Sequence, residues 1–278
     1  MRRIRRSILA AGALLALATV ETPSDAAERW VDRPMTLHRL VFAGDVGIGV
    51  GHVRIPVAGP FDDVSRTGLG LNLEAALGIT ERLELGFRTG VRFGNDGRAT
   101  SPDYYARTLW TETYGTSPLA PGNDTVANPE FRIRWVAYSG SIAEVGLDGR
   151  VFLPIEDGTR AGIMFGVPLA FHFSDLLRID TGAYIPISFY DATYNGLSIP
   201  GYFWFQTSEK LWLGPMAQLR FIDVGPGNHD AHLLLGFGLG YQVANAVDLK
   251  TMILFPAVDD DFARHFGAGF GVQFRIGD

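Results

Sequence analysis

Residues 67–93 constrain the fold more than any other stretch, because apolar side chains occupy almost every second position of two successive runs. A period of two indicates β-strands, and the polar turn at residues 79–81 indicates a hairpin. One face carries almost only Leu, Phe and Val, whereas the opposite face carries Glu, Arg and Gly. A soluble sandwich buries such an apolar face in a core, whereas a membrane barrel turns it toward lipid and turns the charged face toward a lumen.

The rest of the chain favours the barrel. The same alternation occurs at residues 40–50 and in nine further runs after Pro129. About twelve strands are therefore expected, each near the roughly 9–11 residues that a tilted strand needs to cross a bilayer. Tight connections near residues 80, 140, 174, 209 and 245 contrast with longer ones after odd-numbered strands, a contrast typical of outer-membrane barrels. The sequence therefore predicts an all-β protein, an antiparallel up-and-down transmembrane β-barrel of about 12 strands with both termini periplasmic.

The N-terminus carries the pattern of a secretory signal peptide. A basic cluster within residues 2–6 precedes the apolar stretch 8–20, and small residues allow cleavage near Ala26 and Ala27. We therefore predict a signal peptide at 1–27, a polar periplasmic lead-in at 28–36, and an outer-membrane β-barrel at 37–278 with a long extracellular loop at 94–127. The predicted location is the outer membrane of a Gram-negative bacterium.

Composition and missing motifs exclude several classes of function. The chain has no cysteine, which excludes disulfide scaffolds and thiolate metal sites. A formal net charge of -6 gives no indication of nucleic-acid binding. His172 and Ser174 are neighbours without a hydrolase motif, and no carboxylate spacing completes a metal site around His232 and His265. We predict no enzyme activity, no metal site and no cofactor.

Several sequence features resemble a known group of proteins. They are the leader, the repeated strands, the hairpin turn GITERLELG and the closing strand GFGVQFRI. Together they resemble bacterial outer-membrane β-barrels, and the hairpin is most similar to the transporters grouped around the MetA pathway of phenol degradation. This resemblance implies that the barrel assembly machinery recognises the terminal strand. It also implies outer-membrane lipids and lipopolysaccharide as surroundings, with a small solute as a further partner.

On the barrel interpretation, charged side chains from the second to the seventh strand point into the lumen. A turn centred on residue 140 places Arg132 opposite Asp148. The same turn places Glu130 opposite Arg150. Opposite charges across antiparallel strands stabilise by roughly 0.2–1 kcal/mol each. The charges are read either as a structural salt-bridge network or as a wall that orients a solute.

Three arginines stand apart from this pairing scheme. No acid is expected opposite Arg88, Arg92 or Arg134, which makes them candidates for unpaired cations facing the pore. Exchanging Arg88 and Arg92 for Glu is then expected to reduce or reverse anion selectivity. The full set of candidate lumen-facing and solute-facing residues is Glu84, Arg88, Arg92, Arg132, Arg134, Asp148, Arg150, Arg178 and Asp180.

The other wall of the predicted lumen is rich in glycine. These glycines either let the strands bend or leave an open passage. We therefore expect a channel for small solutes, with anionic or aromatic solutes as the candidates. The alternative is a closed barrel with a structural or surface-interaction role and no transport. The inward glycines of strands ten and twelve are Gly236, Gly238, Gly240, Gly267, Gly269 and Gly271.

Overall fold

Twelve β-strands make up most of the described chain. The computed structural model describes residues 28–55, 64–94, 129–155, 161–189, 193–225, 228–255, 258 and 265–277. A short 3-10 turn at Trp30–Asp32 precedes the strands. The strands are β1 (Phe42–Ile55), β2 (Val64–Thr80), β3 (Leu83–Gly94), β4 (Glu130–Ser139), β5 (Ala143–Phe152), β6 (Gly162–Ser174), β7 (Leu177–Phe189), β8 (Thr193–Gln206), β9 (Leu211–Gly225), β10 (Asn228–Ala244), β11 (Val247–Phe255) and β12 (His265–Ile276).

The strands form one closed antiparallel barrel. Each strand pairs with its neighbours in sequence, and β1 also pairs with β12, which closes the sheet. This confirms the predicted up-and-down barrel of twelve strands. The connections after the even-numbered strands are tight and all lie at one rim, which we call the tight-turn rim. The compartment that this rim faces stays a prediction.

The two faces of the sheet differ as the alternation predicts. Outward side chains are apolar and exposed, for example Ile48 at 55% and Phe165 at 57%. Inward side chains are charged and buried, for example Arg88 and Asp148, both at 3%. An apolar outer face is stable only against lipid, and the charged inner face satisfies its polar groups within the lumen. Among the described residues there is no helix with the length and hydropathy to cross a membrane.

Three connections are shorter than the sequence predicts. Loops are expected at 54–66, 190–196 and 225–230. In the structure β1 extends to Ile55, and β2, β8 and β10 already begin at Val64, Thr193 and Asn228. The polar and glycine residues there break the alternation because they lie at the strand ends. The strand ends at the rim opposite the tight turns need no apolar outer face, since the lipid-facing band of a barrel is only about 25 Å tall. The predicted signal peptide and the predicted loop 94–127, apart from Gly94, lie outside the described residues.

Candidate functional site: the barrel lumen

The N-terminal residues 28–41, here called the luminal segment, enter the barrel from the tight-turn rim, where residues 38–40 are exposed. The sequence predicts a polar periplasmic lead-in at 28–36, and in the structure Val31 and Thr36 are only 1% and 3% exposed. The amide of Val31 lies 3.4 Å from Oε1 of Gln206, and Oγ1 of Thr36 donates to the backbone carbonyl of Glu81 in the turn after β2. This stretch therefore docks in the barrel, because charged and amide groups of the wall offer the aperiodic segment bonds that water would otherwise supply. The compartment stays a prediction.

Arg33 is the central anchor of the luminal segment. Its Nη1 and Nη2 donate to the two carboxylate oxygens of Asp248 in β11, at 2.5 and 3.0 Å. Asp248 is 1% exposed and also lies 3.5 Å from Nη2 of Arg275. The backbone carbonyl of Arg33 accepts a hydrogen bond from Arg178 in β7. A two-point bond between buried groups fixes both the position and the orientation of the segment.

Side chains of the wall also bind the backbone of the luminal segment. Such bonds hold the main chain itself, so that they do not depend on the identity of the segment's side chains. The amides of Met35 and Leu37 donate to Glu144 (2.7 Å) and Glu84 (2.9 Å), and the carbonyls of Val31 and Met35 accept from His172 (2.7 Å) and Arg134 (3.3 Å).

Three tryptophans form the aromatic half of the lumen. The ring of Trp30 stacks on that of Trp212 at 4.9 Å with an interplanar angle of 2°. Trp204 meets the Trp30 ring edge-on at 5.9 Å. Behind these rings, Met216, Leu234 and Leu254 form a buried apolar cluster on β9, β10 and β11. This half of the lumen therefore carries an aromatic and apolar cluster beside the charges of Asp248 and Arg220, whereas charged side chains dominate the wall from β3 to β7.

The glycines of β10 make room for these indole rings. A Cβ atom at Gly240 would lie 2.1 Å from Cζ2 of Trp212, and one at Gly238 would lie 2.8 Å from Cη2 of Trp204. The space above these two glycines is thus filled by aromatic side chains. The open passage that the glycines suggested is absent at these two positions.

Replacing Gly240 by Ala should destabilise the barrel by about 1–3 kcal/mol, since Trp212 is buried and held by Trp30. The measurement is the urea midpoint of the folded, heat-modifiable band on a gel. Gly47→Ala is the matched control, because a Cβ there meets nothing closer than 3.6 Å. Equal midpoints for the two variants would contradict the packing described here.

The charged wall has a different register from the one predicted. β4 and β5 pair with Arg134 opposite Asp148 and with Arg132 opposite Arg150. The predicted pairing of Arg132 with Asp148 is therefore wrong by two residues. The turn lies one residue later than assumed, and a register shift between Val136 and Tyr138 accompanies it.

Arg134, Asp148 and Arg150 form a buried cluster. Arg134 donates to Oδ2 of Asp148 through Nη2 at 2.8 Å and through Nε at 3.0 Å. Arg150 donates to Oδ1 of Asp148 at 2.7 Å and to Glu130 at 3.1 Å. Arg134 is thus paired, contrary to the prediction of an unpaired cation. Glu130 and Arg150 do form an ion pair, although they do not lie directly opposite each other.

The remaining predicted residues lie in the same wall. Arg132 reaches Glu84 at 2.6 Å and Glu74 at 3.5 Å. Arg88 lies between Glu74 of β2 and Glu130 of β4 in the ladder, and it has an interaction partner, so it is not an unpaired cation.

Two other predicted residues form a pair on β7, and one cannot be assessed. Nε of Arg178 donates to Asp180 at 2.7 Å, and Asp180 in turn accepts from Nε1 of Trp204 at 3.0 Å. The backbone of Arg92 lies in β3, but its side chain is outside the described part of the structure. A role of any of these residues toward a solute stays a prediction.

A cavity of about 440 Å³ lies between the luminal segment and the wall. Both halves of the lumen contribute to it: Arg132, Arg134 and Arg150 from the charged wall, and Tyr202 and Trp204 from the aromatic half. This volume lies within the range of roughly 300–1,000 Å³ for small-molecule sites. The cavity is therefore large enough for a small solute, and Glu74, Glu84 and Asp180 line it together with the arginines.

The segment and the rim also meet through carboxylates outside the strands. Burial raises the pKa of Glu28 at the start of the luminal segment. The hydrogen bond with His38 lowers the pKa of Glu81 in the turn between β2 and β3, and the amide of Arg39 adds to this effect. The ionised form of Glu81 therefore holds the end of the segment.

The described residues contain no group of three or more His, Cys, Asp or Glu side chains that could hold a metal ion.

Several residues of the site were missed by the sequence analysis. They are the anchors of the luminal segment and their partners, above all Arg33, Asp248, Glu144, His172 and Trp212. The only signal in the sequence was that Asp248, Glu144, His172 and Trp212 occupy inward positions of their strands near the tight turns. Nothing in the aperiodic run at 28–36 indicated that it would bind them.

Comparison with solved structures identifies the architecture. No protein-family model matches the sequence, and no curated protein matches it. An outer membrane channel from Pseudomonas putida F1 matches with a TM-score of 0.60 and 10% identity, over 92% of this chain and 100% of that one. The chain has the fold of an outer-membrane β-barrel.

Two porins show the same fold with lower similarity. The NanC porin matches this barrel with a TM-score of 0.53 and 10% identity, over 83% of this chain and 100% of that one. The KdgM porin matches with a TM-score of 0.52 and 8% identity, over 84% of this chain and 99% of that one. At such identities the similarity establishes the fold and leaves the solute open.

Proposed function

We propose that the protein is an outer-membrane channel for small solutes, narrowed by its own luminal segment. The observation that carries this proposal is the 440 Å³ cavity, which luminal-segment and wall residues line together. The names of the similar structures, an outer membrane channel and two porins, support it. The signal peptide, cleaved near Ala26 and Ala27, the periplasmic tight-turn rim and the extracellular loop 94–127 are part of the proposal.

The solutes that we propose are small aromatic anions. Arg150 lies 5.5 Å from the ring of Tyr184, and both line the cavity next to Tyr202 and Trp204. Guanidinium groups attract a carboxylate, and aromatic rings pack against a flat ring. The resemblance of the hairpin to MetA-pathway transporters supports the aromatic part. Barrel assembly machinery, outer-membrane lipids and lipopolysaccharide are the proposed partners during folding and in the membrane.

A closed barrel without transport is the second candidate. The luminal segment crosses the lumen, and Arg134 and Asp148 are bound to each other. If the segment never leaves and the ion pairs never rearrange, the lumen conducts nothing. A surface role would then fall to the side of the barrel away from the tight turns.

Planar-bilayer recordings of the refolded protein without residues 1–27 separate these two functions. A channel should give discrete current steps, and benzoate should reduce the current in a concentration-dependent manner. Cyclohexanecarboxylate, which has the same charge but no aromatic ring, should reduce it less. A silent bilayer, with a heat-modifiable band proving that the barrel has folded, would contradict the channel and favour the closed barrel.

A further inference from the structure

The side chain of Trp30 in the luminal segment occupies a site that two tryptophans of the wall form. Its ring stacks on Trp212 of β9 at 4.9 Å, with the two planes parallel to within 2°. It meets Trp204 of β8 at 5.9 Å, with 78° between the planes. Stacked and edge-on contacts are the two arrangements that aromatic rings prefer. We call the space between Trp204 and Trp212 the indole slot.

The barrel holds the indole slot without help from the luminal segment. Trp204 packs against the buried apolar cluster on β9, β10 and β11. Trp212 lies against β10, where a Cβ atom at Gly240 would collide with Cζ2 of its ring. Both rings of the slot therefore belong to paired strands, and the slot keeps its shape when Trp30 leaves it.

Trp30 separates the indole slot from the cavity. Trp30, Trp204 and Tyr202 line the cavity of about 440 Å³, whereas Trp212 is 2% exposed and does not line it. Tyr202 extends the aromatic surface, because its ring stacks on that of Trp204 at 6.3 Å. A flat ring in the cavity thus reaches the face of Trp212 along Tyr202 and Trp204 once Trp30 has moved.

Trp30 is an imperfect occupant of the slot. Its Nε1 is buried and has no hydrogen-bond partner within the described residues. By contrast, Nε1 of Trp204 donates to Asp180 at 3.0 Å. A buried donor without a partner has lost its bond to water and gained none in return. The stacking contacts of Trp30 are therefore partly offset, which makes the ring exchangeable.

The 3-10 turn that carries Trp30 is also held less firmly than the rest of the luminal segment. In the described part of the chain, its hydrogen bonds to the strands are those of Val31. The amide of Val31 lies 3.4 Å from Oε1 of Gln206, and its carbonyl accepts from His172 at 2.7 Å. The two-point anchor at Arg33 comes after the turn in the sequence. The turn can therefore leave the slot while the anchor stays bound.

We infer that the indole slot binds the aromatic ring of the solute and that Trp30 is a built-in competitor for this site. The inference rests on the proposed channel function and assigns the solute a place in the lumen. Ring and Trp30 exclude each other, so a bound solute favours the displaced turn, and a displaced turn favours the solute to the same extent. The guanidinium of Arg33, 5.5 Å from the ring of Trp212, stays beside the slot and attracts an aromatic face.

A single cysteine in the turn tests this exchange. Val31 is 1% exposed and the chain has no cysteine, so a Val31→Cys thiol reacts with a water-soluble maleimide when the turn leaves its place. The sample is the refolded protein without residues 1–27, and the probe is indole. Saturating indole should speed labelling by about tenfold, a usual factor for two coupled sites. Cyclohexanol, a ring without an aromatic face, should leave the rate unchanged.

Two further variants serve as controls. Met35→Cys places the thiol at a buried position beyond the Arg33 anchor, and indole should not change its labelling. Trp30→Ala combined with Val31→Cys removes the competitor, so its labelling should be fast without indole, and indole should add nothing. Heat-modifiable migration on a gel shows for each variant that the barrel has folded.

Labelling and bilayer conductance separate the indole slot from the channel. If indole speeds the labelling of Val31→Cys but not that of Met35→Cys, the slot is supported. If neither variant responds, or if both respond equally, Trp30 is a fixed packing element and the slot is wrong, while current steps of the unmodified protein would still support the channel. If the folded protein does not conduct, the channel itself fails, and the slot loses its role in the passage of a solute.

Discussion

Replacing Asp148 by Ala should destabilise the folded barrel by about 3–5 kcal/mol. The Asp148 side chain is fully buried and binds Arg134 and Arg150 at 2.7–3.0 Å. Removing it leaves two adjacent guanidinium groups without their shared partner, and each retains a charge because arginine does not deprotonate in proteins. The measurement is equilibrium unfolding by urea in lipid vesicles, followed by the heat-modifiable band on a gel.

Two further variants show whether burial causes this effect. Asp45→Ala removes the partner of Lys250 in a pair whose side chains are about a fifth to a quarter exposed. It should cost at most about 1 kcal/mol, because solvent screens such a pair. Replacing Arg134 and Arg150 by Met together with Asp148→Leu should recover most of the lost stability, since the two guanidinium groups leave with their shared carboxylate and only Glu130 loses its bond from Arg150. An Asp148→Ala variant as stable as Asp45→Ala would show that water reaches the arginines.

The same cluster shows how far sequence reasoning extends into the site. Alternation along β4 and β5 correctly assigns Arg134, Asp148 and Arg150 to one face, because side-chain direction in a strand depends only on the parity of the position. Which arginine meets the aspartate depends on the register. A turn placed one residue later moves every pair by two, so Arg134 rather than Arg132 faces Asp148. Turn placement of that accuracy is not contained in hydrophobic periodicity.

The luminal segment could not be predicted for a different reason. Its principal partner, Asp248, lies 215 residues from Arg33 in the sequence, and neither residue belongs to a recurring motif. Alternation predicts strands because every strand obeys the same rule toward lipid. A segment that crosses the lumen obeys no such rule, because each of its residues meets a different strand. Its structure follows from particular pairs of polar groups that only the closed barrel brings together.

Replacing Arg33 by Ala should release the luminal segment and raise the conductance of the barrel. Breaking a buried bidentate pair costs about 3–5 kcal/mol in the bound state, and that cost is absent once the segment has left the lumen. Since 1.4 kcal/mol corresponds to a tenfold change in an equilibrium constant, the population of barrels with a displaced segment should rise by about a hundredfold or more. Longer or larger current steps in planar bilayers, compared with the unmodified protein, are the expected result.

The control for this prediction is Arg29→Ala in the same segment. Arg29 binds Asp32 within the segment, and its contact with Asp175 of the rim is 3.8 Å long and exposed. Its loss should leave the current unchanged, because an exposed ion pair adds little to docking. If Arg33→Ala folds and conducts like Arg29→Ala, the remaining backbone bonds to Glu144, Glu84 and His172 hold the segment without its central anchor. The segment would then be a fixed part of the wall, and the solute path would have to avoid it.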